Sequence, residues 1–161
     1  LEQKITKFSM GNKVPTYDFR YANGSKFNPK DFEGEWVFFQ FFNTQCADCI
    51  REMLVIDELM KAYKDKITFV SISVDADQTK FSQFRKKYNK FDWEIVYFNQ
   101  SYDWLNSMEI YSLPEYLLFS PDGKLYSRYP PALDKDFSLF LLRLFSEEEE
   151  DVNPLDVRGG E

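Results

Sequence analysis

Cys46 and Cys49 are the only cysteines in the chain, and two residues separate them. An apolar run at residues 36–42 and a polar break at residues 43–45 precede them, and apolar residues at helical spacing follow. The pair therefore lies where a buried strand turns into a helix. The first turn of a helix presents free backbone N–H groups and the positive end of its dipole, which favour a thiolate. We predict that Cys46 is a redox nucleophile and that Cys49, more shielded, is the resolving thiol.

Other roles for the two cysteines need comparison with redox chemistry. A structural zinc site normally has four Cys or His ligands, and this chain has no histidine. A structural disulfide across three residues closes a small loop, which constrains the unfolded chain little. Inert core cysteines remain an alternative, although the polar break and Asp48 indicate an exposed turn. We expect no metal and no cofactor other than the Cys46–Cys49 disulfide itself.

Length and charge favour one domain with an acidic end. The chain has 161 residues, of which 43% are hydrophobic. Residues 147–161 carry seven acids and one base, whereas the other 146 residues carry 20 acids and 19 bases. We therefore expect a domain at residues 1–146 and a disordered acidic tail at residues 147–161. A nearly neutral body gives no electrostatic footprint for nucleic acid or an anionic membrane.

Hydropathy predicts no integral membrane segment in this chain. No run approaches the ~18 apolar residues that a bilayer requires, and no signal-peptide pattern is present. We expect a soluble protein as given. The sequence begins with Leu rather than Met, which fits the removal of a leader or an anchor.

Periodicity and turn residues predict alternating strands and helices. A strand at 36–42, a helix at 47–64 and a strand at 67–74 imply a parallel, right-handed crossover. Gln40 is the one polar residue in the first of these strands. The other predicted elements are a hairpin at 14–28, a short turn at 29–33, helices at 78–89, 102–108 and 133–145, and strands at 94–98, 115–119 and 124–129.

This order of elements, with the cysteine pair at a strand-to-helix junction and Leu113-Pro114 ahead of a late hairpin, resembles the thioredoxin superfamily. Within it the chain is similar to the TlpA/ResA-like thiol-disulfide oxidoreductases and the related AhpC/TSA-type domains, over residues 11–146. The resemblance implies an α/β, thioredoxin-like fold: a central mixed sheet flanked by helices, with an N-terminal β-hairpin and a βα extension at residues 67–98.

The resemblance also implies residues that face the cysteines. Pro114 would follow a cis peptide bond, and the backbone of Leu113 would bind an extended substrate; the alternative is an ordinary trans proline. Glu52 matches an acid that manages the proton of the second cysteine, although a first-turn Glu is also favoured by the helix dipole alone. The exposed neighbours Gln45, Ala47 and Asp48 complete the predicted substrate contacts.

The chain departs from the family pattern around the cysteines. Gln45 replaces a Trp and Asp48 a Pro, while Gln40 takes the place of a buried Asp or Asn. Leu54 replaces a frequent Pro. These departures bear on substrate choice rather than on the type of reaction, and the lack of an acid at position 40 favours Glu52 as the proton carrier.

The expected activity is the reduction of disulfides in protein substrates. Asp48 opposes a thiolate on Cys46 and no histidine favours one, which indicates a reductant rather than a strong oxidant. A partner thiol reductant would regenerate the dithiol. We expect a monomer that works outside the cytoplasm, as the resemblance implies, with a cytoplasmic location as the alternative.

Two other functions remain open at this point. A thiol peroxidase on the same scaffold needs Thr or Ser three residues before its cysteine and Pro four residues earlier, where this chain has Asn43 and Phe39. The other alternative is a binding module whose aromatic-rich groove holds a partner while the cysteine pair is idle.

Overall fold

A computed structural model describes residues 18–98, 102–128, 133 and 135–150. In these residues seven strands form one mixed sheet in the order β2-β1-β5-β4-β3-β6-β7. The strands are β1 (Phe19–Arg20), β2 (Lys26–Phe27), β3 (Trp36–Phe42), β4 (Ile67–Ser73), β5 (Glu94–Phe98), β6 (Glu115–Phe119) and β7 (Leu125–Ser127). The α-helices are α1 (Ala47–Tyr63), α2 (Gln78–Lys87), α3 (Tyr102–Ser107) and α4 (Lys135–Glu150). The predicted α/β, thioredoxin-like architecture is confirmed.

Strand β3 lies inside the sheet and determines where the cysteines stand. It pairs in parallel with β4 and antiparallel with β6, and all seven of its residues are buried. The parallel β3–α1–β4 unit is the predicted crossover. Because β3 ends at Phe42 and α1 begins at Ala47, the cysteine pair lies at the carboxyl edge of the sheet.

The apolar core divides according to the alternation of side chains along β3. Val37, Phe39 and Phe41 belong to a cluster that also contains residues of α3 and of the first hairpin. Phe42 belongs to a second cluster with Cys49 and Met53 of α1. Since Gln40 has the same parity as Phe42, the alternation directs its side chain towards α1.

Several predicted elements are shorter in the structure. The strands of the first hairpin hold two residues each, joined by a turn with Gly24 at φ 87°, and residues 14–17 of that prediction lie outside the described residues. The predicted turn at 29–33 is a 3₁₀ helix, Pro29–Phe32, capped by the Asn28 side chain. Strand β7 ends at Ser127 and α2 at Lys87, both two residues before the predicted end.

Helix α4 belongs to the second of two compact units, Leu1–Pro130 and Pro131–Glu161. It runs to Glu150, past the predicted helix end at residue 145. Glu is a good helix former, so the first four residues of the predicted tail extend the helix. The remaining tail, residues 151–161, lies outside the described residues, and the domain boundary at 146 stays a prediction.

Candidate functional site

The two cysteines form a disulfide with their Cα atoms 5.2 Å apart. Cys46 is the N-cap of α1, in extended conformation, and its Sγ accepts a hydrogen bond from the backbone N–H of Cys49 at 3.2 Å. Cys46 is half-buried, whereas Cys49 is fully buried. Cys46 is therefore the sulfur that a substrate can reach, and a backbone donor already points at it.

The turn before Cys46 is fixed by Asp75, which follows β4. The Asp75 carboxylate accepts hydrogen bonds from the Thr44 backbone N–H at 3.0 Å and from the Thr44 hydroxyl at 2.7 Å. The hydroxyl of Ser73 donates to the same carboxylate at 2.6 Å. Asp75 is only 5% exposed. This buried acid, which the sequence reading missed, holds the polar break that leads into the cysteine pair.

The parallel strands offer the signal that could have found Asp75. The carboxyl ends of neighbouring parallel strands lie at one edge of a sheet. Strand β4 is the parallel neighbour of β3, so an acid after β4 falls beside the turn after β3. The polar residues of the turn after β3 need hydrogen-bond partners, and a polar residue after β4 can supply them.

Leu113 lies opposite the pair. The Leu113–Pro114 peptide bond is cis, the isomer that the resemblance implied. The carbonyl oxygen of Leu113 is 4.0 Å from Cys46 Sγ, and its side chain packs against both core clusters. Leu113 and Cys46 therefore lie close together, whereas Gln45, Ala47 and Asp48 are exposed around them.

Glu52 lies one turn after Cys49 on α1, where the hydroxyl of Tyr116 donates a hydrogen bond to its Oε2 atom. Tyr116 is buried on β6, two residues after Pro114, with its ring stacked on Phe38 at 5.3 Å between centroids. Burial, followed by the hydrogen bond and the charge of Glu52, raises the pKa of Tyr116 well above its ordinary value. Tyr116 thus stays a hydrogen-bond donor at physiological pH.

Gln40 is fully buried beneath α1. Its Nε2 donates to the backbone carbonyl of Cys49 at 3.3 Å, and its Oε1 accepts from the Ser71 hydroxyl at 2.7 Å. Both ends of the amide are therefore partnered, which is what a buried polar group requires. A residue that interrupts an apolar strand thus connects that strand to Cys49.

Asp48 forms an exposed ion pair with Arg51, with 2.8 Å between Oδ1 and Nη1. The sequence reading treated Asp48 as an unopposed negative charge beside Cys46. The structure gives that charge a counterion one turn along the helix, so its effect on the sulfur is weaker than expected.

A cavity of about 310 Å³ opens beside Leu113. Asn43 and Leu113 line it at the end nearest the cysteine pair, and Val74, Leu105 and Ile110 give it apolar walls. No group of three or more His, Cys, Asp or Glu side chains among the described residues could hold a metal ion. Among those residues every helix is also too short or too polar to span a bilayer.

Residues 34–125 match a family model described as thioredoxin-like. The chain belongs to the thioredoxin-like family. ResA, a thiol-disulfide oxidoreductase of Bacillus thuringiensis subsp. konkukian (strain 97-27), is 32% identical over 125 residues, which make up 76% of this chain and 70% of that protein. ResA of Bacillus subtilis (strain 168) is 25% identical over 118 residues, or 73% and 65% of the two chains.

Solved structures share this thioredoxin-like fold. A thiol:disulfide interchange protein from Bacteroides sp. has a TM-score of 0.70 at 22% identity, over 82% of this chain and 88% of that one. The exposed lipoprotein thioredoxin of Streptococcus pneumoniae strain TIGR4 has a TM-score of 0.68 at 19% identity, over 80% and 98%. The ResA relatives and the Cys46–Cys49 pair together show that the activity of this chain is thiol-disulfide oxidoreduction.

Proposed function

We propose that the protein reduces disulfides in protein substrates, with Cys46 as the attacking thiolate and Cys49 as the resolving thiol. The observation that carries this proposal is the asymmetry of the pair. Cys46 is half-buried and accepts the N–H of Cys49, whereas the sulfur of Cys49 has no exposed surface. A donor hydrogen bond favours the thiolate, and exposure permits its attack.

The reaction has two exchange steps. In the first, the Cys46 thiolate attacks one sulfur of the substrate disulfide, forms a mixed disulfide and releases the other sulfur as a thiolate, which takes up a proton. In the second, Cys49 loses its proton and attacks the Sγ of Cys46, which releases the remaining substrate sulfur. Two electrons pass from the protein to the substrate, and the protein is left with the Cys46–Cys49 disulfide that the structure contains.

Glu52 is the group that we propose takes the proton from Cys49. The two residues are three apart on α1, so their side chains lie on one side of the helix. The Tyr116 hydroxyl donates a hydrogen bond to Glu52 and holds its carboxyl group in place, and a carboxylate can accept a proton. The Glu52 side chain is partly buried rather than free in solvent.

Substrate binding is proposed at Leu113 and Pro114. An extended chain placed along Leu113 would bring a cysteine sulfur against Cys46, because the Leu113 carbonyl is 4.0 Å from that atom. Gln45, Ala47 and Asp48 form the exposed rim that such a chain would cross. An upstream thiol reductant must then restore the dithiol.

An extracytoplasmic location is proposed for this reaction. It is supported by the resemblance to TlpA/ResA-like proteins and by the fold shared with a pneumococcal thioredoxin that is called an exposed lipoprotein. Separating cell fractions that contain the full-length protein would test it. Recovery in the cytoplasm would contradict the location and leave the chemistry intact.

Replacing Cys49 with Ser tests the two cysteine roles. We expect C49S to accumulate mixed disulfides on Cys46, visible as thiol-sensitive adducts by mass spectrometry, because the resolving sulfur is missing. The matched variant C46S should accumulate few mixed disulfides, since Cys49 is buried. Equal trapping by both variants would overturn the assignment.

An insulin-reduction assay run beside a peroxide assay tests the direction of the reaction. Turnover of insulin supports the proposed reductase. Consumption of peroxide instead would indicate a thiol peroxidase, and the absence of both activities would indicate a binding module with an idle pair.

A further inference from the structure

A row of polar side chains crosses the sheet beneath the redox helix. Gln40 of β3 pairs with Ser71 of β4 on one side and with Tyr116 of β6 on the other. Directly opposed residues on neighbouring strands point to the same face of a sheet. Because Gln40 contacts Cys49 and Tyr116 contacts Glu52, that face is the one covered by α1. We call Ser71, Gln40 and Tyr116 the polar row.

The hydrogen bonds of the polar row can run in only one direction. The indole N–H of Trp93, which can only donate, points at the Ser71 oxygen at 2.9 Å. The Cys49 carbonyl can only accept, so the NH₂ group of Gln40 faces it, and Ser71 donates its own hydrogen to the Oε1 atom on the other side of the amide. The orientation of the amide is thereby fixed, and its neighbour on the other adjoining strand is Tyr116.

The end of the row is an acceptor. The hydroxyl of Tyr116, the strand neighbour of Gln40, donates to Glu52 Oε2. The row therefore ends on a carboxylate, which accepts this hydrogen without conflict. The row is buried, so an unsatisfied member would be costly, and the fully partnered arrangement selects one geometry.

We propose that the polar row is a positioning device for the resolving half of the site, in which Tyr116, oriented by Gln40, holds Glu52 ready to exchange a proton with Cys49. The inference rests on the proposed function. Gln40 adjoins both parts that must be aligned, because it donates to the backbone of Cys49 and lies directly opposite the tyrosine that binds Glu52. Tyr116 is a positioning residue, acting through Glu52.

Other charges near Glu52 are few among the described residues. On α1, Asp48 and Arg51 pair with each other and are mostly exposed. From β6, Tyr116 is the titratable group in contact, and its neighbour Glu115 is a carboxyl whose side chain the strand alternation turns to the opposite face. The polar contact of the Glu52 side chain in the described residues is therefore the Tyr116 hydroxyl.

The first test follows the carboxyl carbon of Glu52 by NMR on isotope-labelled glutamate, with E52Q to assign the signal. Y116F removes one hydroxyl donor, and we expect the Glu52 carboxyl resonance to shift, because one of its oxygens loses a hydrogen bond. Y126F is the matched control, since Tyr126 is 42% exposed and packs against Trp36 of β3. An unchanged Glu52 resonance in Y116F overturns the proposal whether or not the protein is a reductase.

The second test is a double-mutant cycle on the rate at which Cys49 resolves a preformed mixed disulfide. We expect E52Q to slow resolution by at least about tenfold and Y116F by about three- to tenfold. In the E52Q background, Y116F should have no further effect, because Tyr116 acts through Glu52.

The outcomes of the cycle separate two failures. A full additional loss from Y116F in the E52Q background would show that Tyr116 acts by packing, which overturns the positioning role. If C49S forms no mixed disulfide with any substrate, the proposed function fails, and the Glu52 resonance still decides whether Tyr116 holds Glu52.

Discussion

Two carboxylates flank the cysteine pair, and they are held in different ways. Asp75 stands on the entry side, where it accepts hydrogen bonds from the Thr44 N–H, the Thr44 hydroxyl and the Ser73 hydroxyl. Glu52 lies one helical turn after Cys49 on α1, where Tyr116 donates to one of its oxygens. Asp75 is buried, whereas Glu52 is partly exposed.

The difference suits two different roles. A carboxylate that accepts three short hydrogen bonds joins the groups that donate them, so Asp75 maintains the shape of the turn before Cys46. A carboxylate with one donor keeps lone pairs available to a neighbouring thiol, which is the arrangement that the role proposed for Glu52 requires.

Matched amide replacements give the largest expected effect. D75N places a new NH₂ group among three donors, so we expect it to lower the free energy of unfolding by about 2–4 kcal/mol. E52Q keeps an acceptor for Tyr116 and should cost less than about 1 kcal/mol. Urea unfolding of both variants checks this order. Equal losses would remove the distinction between the two acids.

A third carboxylate, Glu115, sharpens the comparison through its pH dependence. Burial raises its pKa above the ordinary 4.5, against opposing effects of the Arg128 charge and a Tyr111 backbone hydrogen bond. One of its oxygens, Oε2, is buried with no hydrogen-bond partner among the described residues. The folded protein therefore binds this proton more tightly than the unfolded chain, and stability falls as pH rises above 4.5.

Replacing Glu115 with Gln should remove the loss of stability that accompanies a rise in pH. We expect E115Q to be more stable than the wild type at neutral pH and its advantage to shrink as the pH is lowered towards the ordinary value of 4.5. Urea unfolding at the two pH values measures the change. A gain in stability of the same size at both pH values would mean that the charge of Glu115 is not the cause.

The smallest effect is expected on the exposed rim. D48N breaks the ion pair with Arg51 and removes a negative charge near Cys46, so stability should change by less than about 0.5 kcal/mol. In a C49S background, the pKa of Cys46 should fall by less than about half a pH unit in D48N, and R51A should raise it. Alkylation rates against pH measure both. Shifts of the same sign would contradict a simple charge effect.

The sequence was sufficient to predict the elements whose apolar pattern lies within one continuous segment. The bounds of β3 and β5 were predicted to the residue, because each is an apolar run between polar or turn residues. Helix α4 extends beyond its predicted end. The prediction interpreted the run of Glu residues from their charge and not from their helix propensity. The periodicity of a segment thus predicts whether it is a helix or a strand more reliably than it predicts where that element begins and ends.

The partners of the site could not be read in the same way. Gln40 and Glu52 were identified as unusual or functional, but Ser71, Tyr116 and Asp75 were not. Their contacts join residues 31 and 64 positions apart, and such distances leave no periodic trace in a single sequence. Strand pairing makes these residues neighbours, and the register of the sheet is what reveals them.

The burial of Cys49 has a consequence for how long an intermediate lasts. An external thiol can reach Cys46 but not the fully buried Cys49, so substrates couple to the protein through one sulfur only. The second sulfur is already one helical turn away and competes at a high effective concentration that no partner has to supply. Under the proposed mechanism, the lifetime of each covalent complex is then set mainly by the protein itself, as long as attack by Cys49 is faster than attack by external thiols on the mixed disulfide.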